Sequence, residues 1–245
     1  FLTEQMQRDT SIFNEFDTLS LNASQIDSLL ADSGTGIQPG IERIFGSLQS
    51  VVDDPSSLPA RQVLISEANG LVDRFSSIND RLNDQSDIIN GQMEVVAGEI
   101  STIGNAIAEL NQQIQFALAA SNGSPPNAML DQRDKLITDL SSLVAVESVT
   151  QDGSAVNVFI GNGQALVIGN ESNEIFAEAG NTDPSRVGIF FRKGDSVQEI
   201  TAEIKGGQLG GMLEFREKVL EPTINGLGRV AMSITETFNQ QHQLG

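Results

Sequence analysis

Carboxylates are the abundant reactive groups of this chain, and several fall at spacings that place two on one helical face. Asp80 with Asp84, Asp84 with Asp87 and Glu217 with Glu221 lie three or four residues apart, and Asp53 and Asp54 are adjacent. Such pairs could bind a hard cation or act as acid and base. Among 33 acidic residues, however, they arise by chance, and the D-x-D-x-D-G spacing of a calcium loop is absent. Solvated helix faces are the preferred reading. His242 is the single histidine, flanked by Gln240, Gln241 and Gln243. A general base or metal ligand needs a partner, and none stands near it at ligand spacing. It reads as an exposed helix-end residue.

Two glycine clusters, Gly161-Asn162-Gly163 and Gly206-Gly207 through Gly210-Gly211, lack the Lys-Ser/Thr pair of a phosphate loop. The second precedes a helical stretch, so its N–H groups could hold an anion; turn geometry is the preferred reading. No G-x-S-x-G motif is present, and no nucleophile has a plausible base. The absence of cysteine excludes thiolate zinc sites, disulfides and thiol nucleophiles. The chain therefore reads as a non-enzyme, with no catalytic, cofactor-binding or metal site.

The elements that carry these residues follow from the pattern of apolar positions. With 245 residues and 39% hydrophobic content the chain can bury a core. Its aromatics are all Phe, a thin supply for an apolar ligand pocket or a base-stacking platform. The net charge of −19 repels nucleic acid and anionic lipid, which bind through Lys and Arg clusters that are missing here. Residues 1–144 carry 20 acidic and 7 basic side chains, whereas residues 205–245 carry 4 of each. No apolar run approaches the length of a membrane span, and no signal peptide is visible. The start at Phe1 suggests an excised piece of a longer chain.

Ile12, Phe16, Leu19, Ala23, Ile26 and Leu30 recur as one helical stripe, stopped at Ser33-Gly34-Thr35-Gly36. Pro39 sits just inside a second, short helix carrying Ile41, Ile44, Phe45, Leu48, Val51 and Val52, which ends at Asp53-Asp54-Pro55. From about Arg61 to Ala120 runs the strongest signal, a seven-residue repeat of Ala68, Phe75, Leu82, Ile89, Val96, Ile103, Leu110 and Ala117. A companion row of Leu71 and Ile78 turns polar at Gln85 and resumes one place later at Met93, Ile100, Ile107 and Ile114. That shift keeps a helix of 3.6 residues per turn seated on its neighbours. About 60 residues predict a rod of roughly 90 Å. Gly91, Gly98 and Gly104 each cost roughly 1 kcal/mol against Ala, so only lateral packing sustains it.

Ser121-Asn122-Gly123-Ser124-Pro125-Pro126 breaks the rod, and a short helix follows with Leu136, Ile137, Leu140 and Leu143 apolar. Beyond Val144 the period becomes two. Strands are expected around 156–160, 165–168, 187–191 and 197–204, with turns at Asp152-Gly153, Asn162-Gly163, Asp183-Pro184 and Gly194-Asp195. Helical periodicity returns from Leu209 to Phe238, with a kink expected near Pro222. The predicted fold class is α+β, mainly α: a long antiparallel helical bundle or coiled-coil rod with an inserted small antiparallel β domain. Its expected domains are a helical segment 1–144, a β domain 145–204 and a returning helical segment 205–245. Asn90, Gln92, Asn105, Asn111, Gln112, Gln113 and Gln115 read first as a solubilising face, and second as uncharged hydrogen-bonding surface for neighbouring subunits.

Three stretches resemble the hook-associated protein 1 family of bacterial flagella. They are Leu130-Asp131-Gln132-Arg133-Asp134-Lys135-Leu136 with its continuation to Leu143, Val156 to Val167 with its Gly161-Asn162-Gly163 turn, and Gly206-Gly207-Gln208-Leu209-Gly210-Gly211-Met212-Leu213-Glu214-Phe215-Arg216. The closing Phe238-Asn239-Gln240-Gln241-His242 is similar too. The resemblance implies a structural junction subunit between hook and filament, exported through the flagellar type III pathway to the extracellular flagellum. Its implied partners are copies of itself in a ring, the hook protein and a second junction protein, with no nucleic acid and no membrane. It further implies an internal fragment lacking both termini of the family, with the export chaperone site outside it. The alternative class is a secreted helical binding or adhesin-type module, which would expose an apolar patch on residues 145–204 and bind a host surface.

Overall fold

The computed structural model describes residues 2–32, 36–120, 125–151, 155–180 and 186–243. Six α-helices and seven strands are assigned among them: α1 Leu2–Ala31, α2 Ile37–Asp53, α3 Leu58–Ala120, α4 Asn127–Leu143, β1 Val146–Thr150, β2 Val156–Ile160, β3 Gln164–Ile168, β4 Glu171–Ser172, β5 Glu174–Ala179, β6 Val187–Lys193, β7 Ser196–Glu199, α5 Gly207–Phe215 and α6 Glu221–Gln243. They form two compact units, one of Phe1–Ser20 with Ile88–Phe215 and one of Leu21–Asp87 with Arg216–Gly245.

The 63 residues of α3 form one unbroken helix, starting three residues before the predicted Arg61. The Ser57 hydroxyl accepts the Ala60 N–H at 3.3 Å, which caps the earlier start. Its first half contributes Leu71, Ile78 and Leu82 to the second unit, and its second half contributes Ile89, Met93, Ile100, Ile107 and Ile114 to the first, all buried. Each such side chain stabilises by about 2 kcal/mol, which outweighs the glycines in the same helix. Gln85, where the companion row turns polar, is half-buried and donates to Asn22 Oδ1 at 3.4 Å. Ala68, predicted in the main row, is exposed.

The α1 stripe is not a core face as read from the sequence. Ile12, Phe16 and Leu30 are exposed and only Ile26 is buried, whereas Gln7, Ser11 and Asn22 point inward. Close approach decides this in the first unit. A Cβ on Gly211 would stand 2.5 Å from the Glu15 carbonyl oxygen and 2.9 Å from Thr18 Cβ, so α5 lies against the small, polar side of α1 and leaves no room for the apolar side.

One inserted sheet was expected from the alternation, but two antiparallel sheets are present, ordered β1-β2-β3-β4 and β5-β6-β7. The division falls at Asn173, whose backbone N–H donates to the Leu166 carbonyl at 2.8 Å and whose side-chain amide donates to the Ala165 carbonyl at 2.7 Å. Those bonds hold the chain to β3 until it leaves to pair with β6. The Asn162-Gly163 and Gly194-Asp195 turns close β2–β3 and β6–β7, with Gly163 at φ 96° and Gly194 at φ 58°. The strand expected through Ile204 ends at Glu199 instead, and residues 201–203 form a 3₁₀ turn. There the Thr201 hydroxyl accepts the Ile189 N–H at 2.8 Å and takes the place of the next strand partner.

A π-helical turn over Arg216–Leu220 joins α5 to α6. The irregularity thus precedes Pro222, and the chain stays helical through it. A proline has no N–H and its ring crowds the carbonyl four residues back, so it fits the first turn of α6 after a widened turn. The predicted turns at Ser33-Gly34-Thr35, Ser121-Asn122-Gly123-Ser124, Asp152-Gly153 and Asp183-Pro184 lie outside the described residues.

Candidate functional site

The Gly206–Gly211 cluster was the one sequence feature suited to an anion, and in the structure a carboxylate of the same chain stands there. Gly206 N–H donates to Glu15 Oε1 at 3.0 Å, and Ala145 N–H donates to the Lys205 carbonyl at 2.9 Å. Gly206 and Gly207 adopt φ 69° and 60°. A Cβ on Gly207 would fall 2.2 Å from the Leu143 carbonyl carbon, and one on Gly206 would fall 2.2 Å from Ser11 Oγ. Only glycine combines that backbone with that proximity. The cluster is a clamp joining α1, the end of α4 and the start of α5.

A second constellation went unread in the sequence. Asn111 is fully buried on α3, and all its polar atoms are engaged. Its Nδ2 donates to the Val156 carbonyl at 2.8 Å and the Gly169 carbonyl at 2.6 Å. Its Oδ1 accepts from Arg133 Nη1 at 3.0 Å and from the Val156 N–H at 3.1 Å. Gly169 N–H in turn donates to Asn157 Oδ1 at 2.9 Å. Burial holds the Arg133 guanidinium below its ordinary pKa, and the Asp134 carboxylate partly opposes that shift. Asn111 therefore is not part of a solubilising face, and Asn90 is also buried. Gln92, Asn105, Gln112, Gln113 and Gln115 are exposed as expected. The one signal in the sequence was the position of Asn111 beside the Leu110–Ile114 row.

Ser101 extends the same logic to the second sheet. Its hydroxyl donates to the Ile175 carbonyl at 2.6 Å and accepts the Ile175 N–H at 2.8 Å. Gly104, one turn on, admits the Leu166 and Ser172 side chains, which a Cβ would meet at 3.1 and 2.9 Å. These contacts position both sheets on α3 but offer no reacting atom.

The carboxylate pairs supply none of the hydrogen bonds of this network. Asp80, Asp84 and Asp87 are exposed along α3, Glu217 is exposed on the π turn, and Asp54 accepts from the Ser56 hydroxyl at 2.9 Å. Among the described residues no group of three or more His, Asp or Glu could hold a metal ion. Among the described residues no helix is long and apolar enough to cross a membrane. His242 falls in the last turn of α6, and its side chain lies outside the described residues.

What the surface does carry is apolar. On α1, Met6, Phe13 and Phe16 are 50%, 67% and 60% exposed, and on α3, Ile88, Val95 and Phe116 are 52%, 70% and 67% exposed. In the second unit Phe45 and Ile44 of α2, Leu71 of α3 and Ile234 and Phe238 of α6 line a shallow groove. Such faces suit association with other helices.

The family model described as the flagellar hook-associated protein FlgK helical domain matches residues 23–245. The flagellar hook-associated protein 1 of Salmonella typhimurium is 33% identical over 247 residues, covering 100% of this chain and 45% of that protein. The protein of the same name from Escherichia coli gives the same identity and coverage, and that of Bacillus subtilis is 23% identical, covering 53% of its length. The chain thus spans about half the length of these curated relatives. The solved structure of the flagellar hook junction protein FlgK from Burkholderia pseudomallei superposes with a TM-score of 0.83 at 29% identity, covering 92% of this chain and 41% of that one. The chain belongs to the flagellar hook-associated protein FlgK helical-domain family.

Proposed function

We propose that this chain is the helical portion of a structural subunit that joins the flagellar hook to its filament, in the extracellular flagellum, after export by the flagellar type III pathway. The observation that carries the reading is similarity along the whole of this chain to 45% of hook-associated protein 1, together with a shared fold with part of a flagellar hook junction protein. Apolar residues on the outward faces of α1 and α3 support a role in assembly rather than catalysis, because they suit protein partners and converge on no cleft. Its partners in this reading are copies of itself in a ring, the hook protein and a second junction protein. Residues 145–204 act as an inserted β domain between the helical segments 1–144 and 205–245.

Deleting the parent gene tests the proposal. Cells are expected to build hooks yet shed flagellin unpolymerised into the medium, and a plasmid copy restores filaments. Normal filaments on the deletion strain would refute it.

A further inference from the structure

Asn-Gly pairs occur in the chain at 69–70, 90–91, 122–123, 162–163 and 225–226. Asn122-Gly123 lies outside the described residues. Such a pair has its own chemistry, because glycine has no Cβ to keep its backbone nitrogen away from the carbonyl carbon of the preceding side chain. Backbone conformation then decides whether that nitrogen can approach. Asn69-Gly70 and Asn90-Gly91 lie inside α3, and Asn225-Gly226 lies inside α6. In a helix each glycine N–H is held by the carbonyl four residues back, with φ and ψ of both residues fixed. Asn162-Gly163 differs. It closes the β2–β3 hairpin outside any helix or strand, with both residues exposed and Gly163 at φ 96°. A Cβ on Gly163 would meet nothing within 4 Å, so no side chain shields the site. Gly163 N–H donates to the Ile160 carbonyl at 3.2 Å, a long bond at an exposed turn that opens more readily than a helix interior. Exposure alone does not separate the sites, since Asn69 and Asn225 are exposed too. The turn does.

We propose that Asn162 is a site of spontaneous self-modification, favoured by the hairpin turn over the helical Asn-Gly pairs. The Gly163 nitrogen forms a bond to Asn162 Cγ, and the Cγ–Nδ2 bond breaks. The Gly163 amide proton goes to the departing nitrogen, which leaves as ammonia, and a succinimide ring remains. Water then opens the ring. Cleavage of the new Cγ–N bond gives aspartate, and cleavage of the original backbone C–N bond gives isoaspartate. No oxidant or reductant is needed. Either product adds one negative charge to a net −19. Isoaspartate also carries the main chain through its Cβ and so lengthens the turn by one atom. The register it must fit, Ile160 opposite Gln164 and Phe159 opposite Ala165, has no slack for that atom, so the strand ends beside the turn are loosened. The inference stands on the turn and is independent of the junction reading above.

The folded chain, held at mildly alkaline pH, is digested at intervals, and each Asn-Gly peptide is followed by mass spectrometry for conversion of amide to acid. Asn162 is expected to convert about tenfold faster than Asn69, Asn90 or Asn225, because reaction at the helical sites waits on local opening. In urea at the same pH the rates are expected to converge. Equal rates in the folded chain, or a faster helical site, would overturn the proposal. So would a preference that persists unchanged in urea, since flanking sequence and not the turn would then set it. Asn162→Gln, whose longer side chain closes the larger ring poorly, is expected to stop conversion at this site with an unchanged circular dichroism spectrum. Amide exchange of the aged chain against Asn162→Asp reads the effect on the hairpin. Isoaspartate is expected to lower protection in β2 and β3 where the plain substitution leaves it; equal protection in both would refute the loosening.

Discussion

The two compact units handle buried polarity differently. In the first, Asn111, Arg133, Asn157 and Ser101 hydrogen-bond to strand and turn backbone or to one another, and Glu15 caps Gly206. In the second, the interior of α3 is carried by Leu71, Ile78 and Leu82, and Leu227 of α6 is buried. Polar groups there are fewer: Asn22 meets Gln85, Ser47 returns its hydroxyl to the Ile44 carbonyl, and Arg216 is buried at the π turn. The difference follows from what each unit must satisfy. Helices pair their own backbone groups, so aliphatic packing is enough to join them. Strand ends and edges present N–H and C=O groups with no partner, and a buried one needs a side chain. Asn111 supplies one donor pair and one acceptor where α3 meets β2 and the turn at Gly169.

The sharpest way to break that contrast is Asn111→Leu. It removes four hydrogen bonds, taking one acceptor from Arg133 and the side-chain partner from three backbone groups. Unfolding free energy is expected to fall by about 4 kcal/mol, read as a lower urea midpoint, with amide protection lost first at Val156 and Gly169. A loss under about 1 kcal/mol would show that the network is dispensable. In the second unit the comparable test is Leu82→Ala, at a fully buried position. A cavity there is expected to cost about 3 kcal/mol, with amides of α2 and α6 losing protection while those of β2 and β3 keep theirs. Uniform loss across both units would erase the distinction. At the small end lies Arg43→Ala, which removes the half-exposed pair with Glu67 at 3.1 Å. Its expected effect is under about 0.5 kcal/mol, within reach of careful thermal melts; a larger shift would make surface charge a real contributor to the second unit.

Much of the helical architecture was legible because its signal is local and repeated. Leu82, Ile89, Met93, Ile100, Ile107 and Ile114 are buried as the two rows require, and Gln85 is the polar exception that meets Asn22. Strands were harder. The β5 segment Glu174–Ala179 alternates only weakly, with just Ile175 buried, so nothing in it announces a second sheet. The stripe of α1 misled for a different reason: its periodicity was real, but periodicity names a face without saying which neighbour claims it. The glycine clamp was visible as turn formers, while the Glu15 carboxylate that meets it lies 191 residues away.

Alone, the sequence determined the length and phase of α3, the mainly helical class, the absence of thiol chemistry and the family. The first three are encoded in composition or in spacings of three, four and seven residues, whereas the family rests on the resemblance carried by residues 130–143, 156–167 and 206–216. Tertiary structure decided which side of α1 is buried, why Gly206 and Gly207 must be glycine, and that Asn111 and Arg133 are internal. Those outcomes depend on atoms brought together across long stretches of chain, where steric fit and hydrogen-bond satisfaction outweigh hydrophobic periodicity.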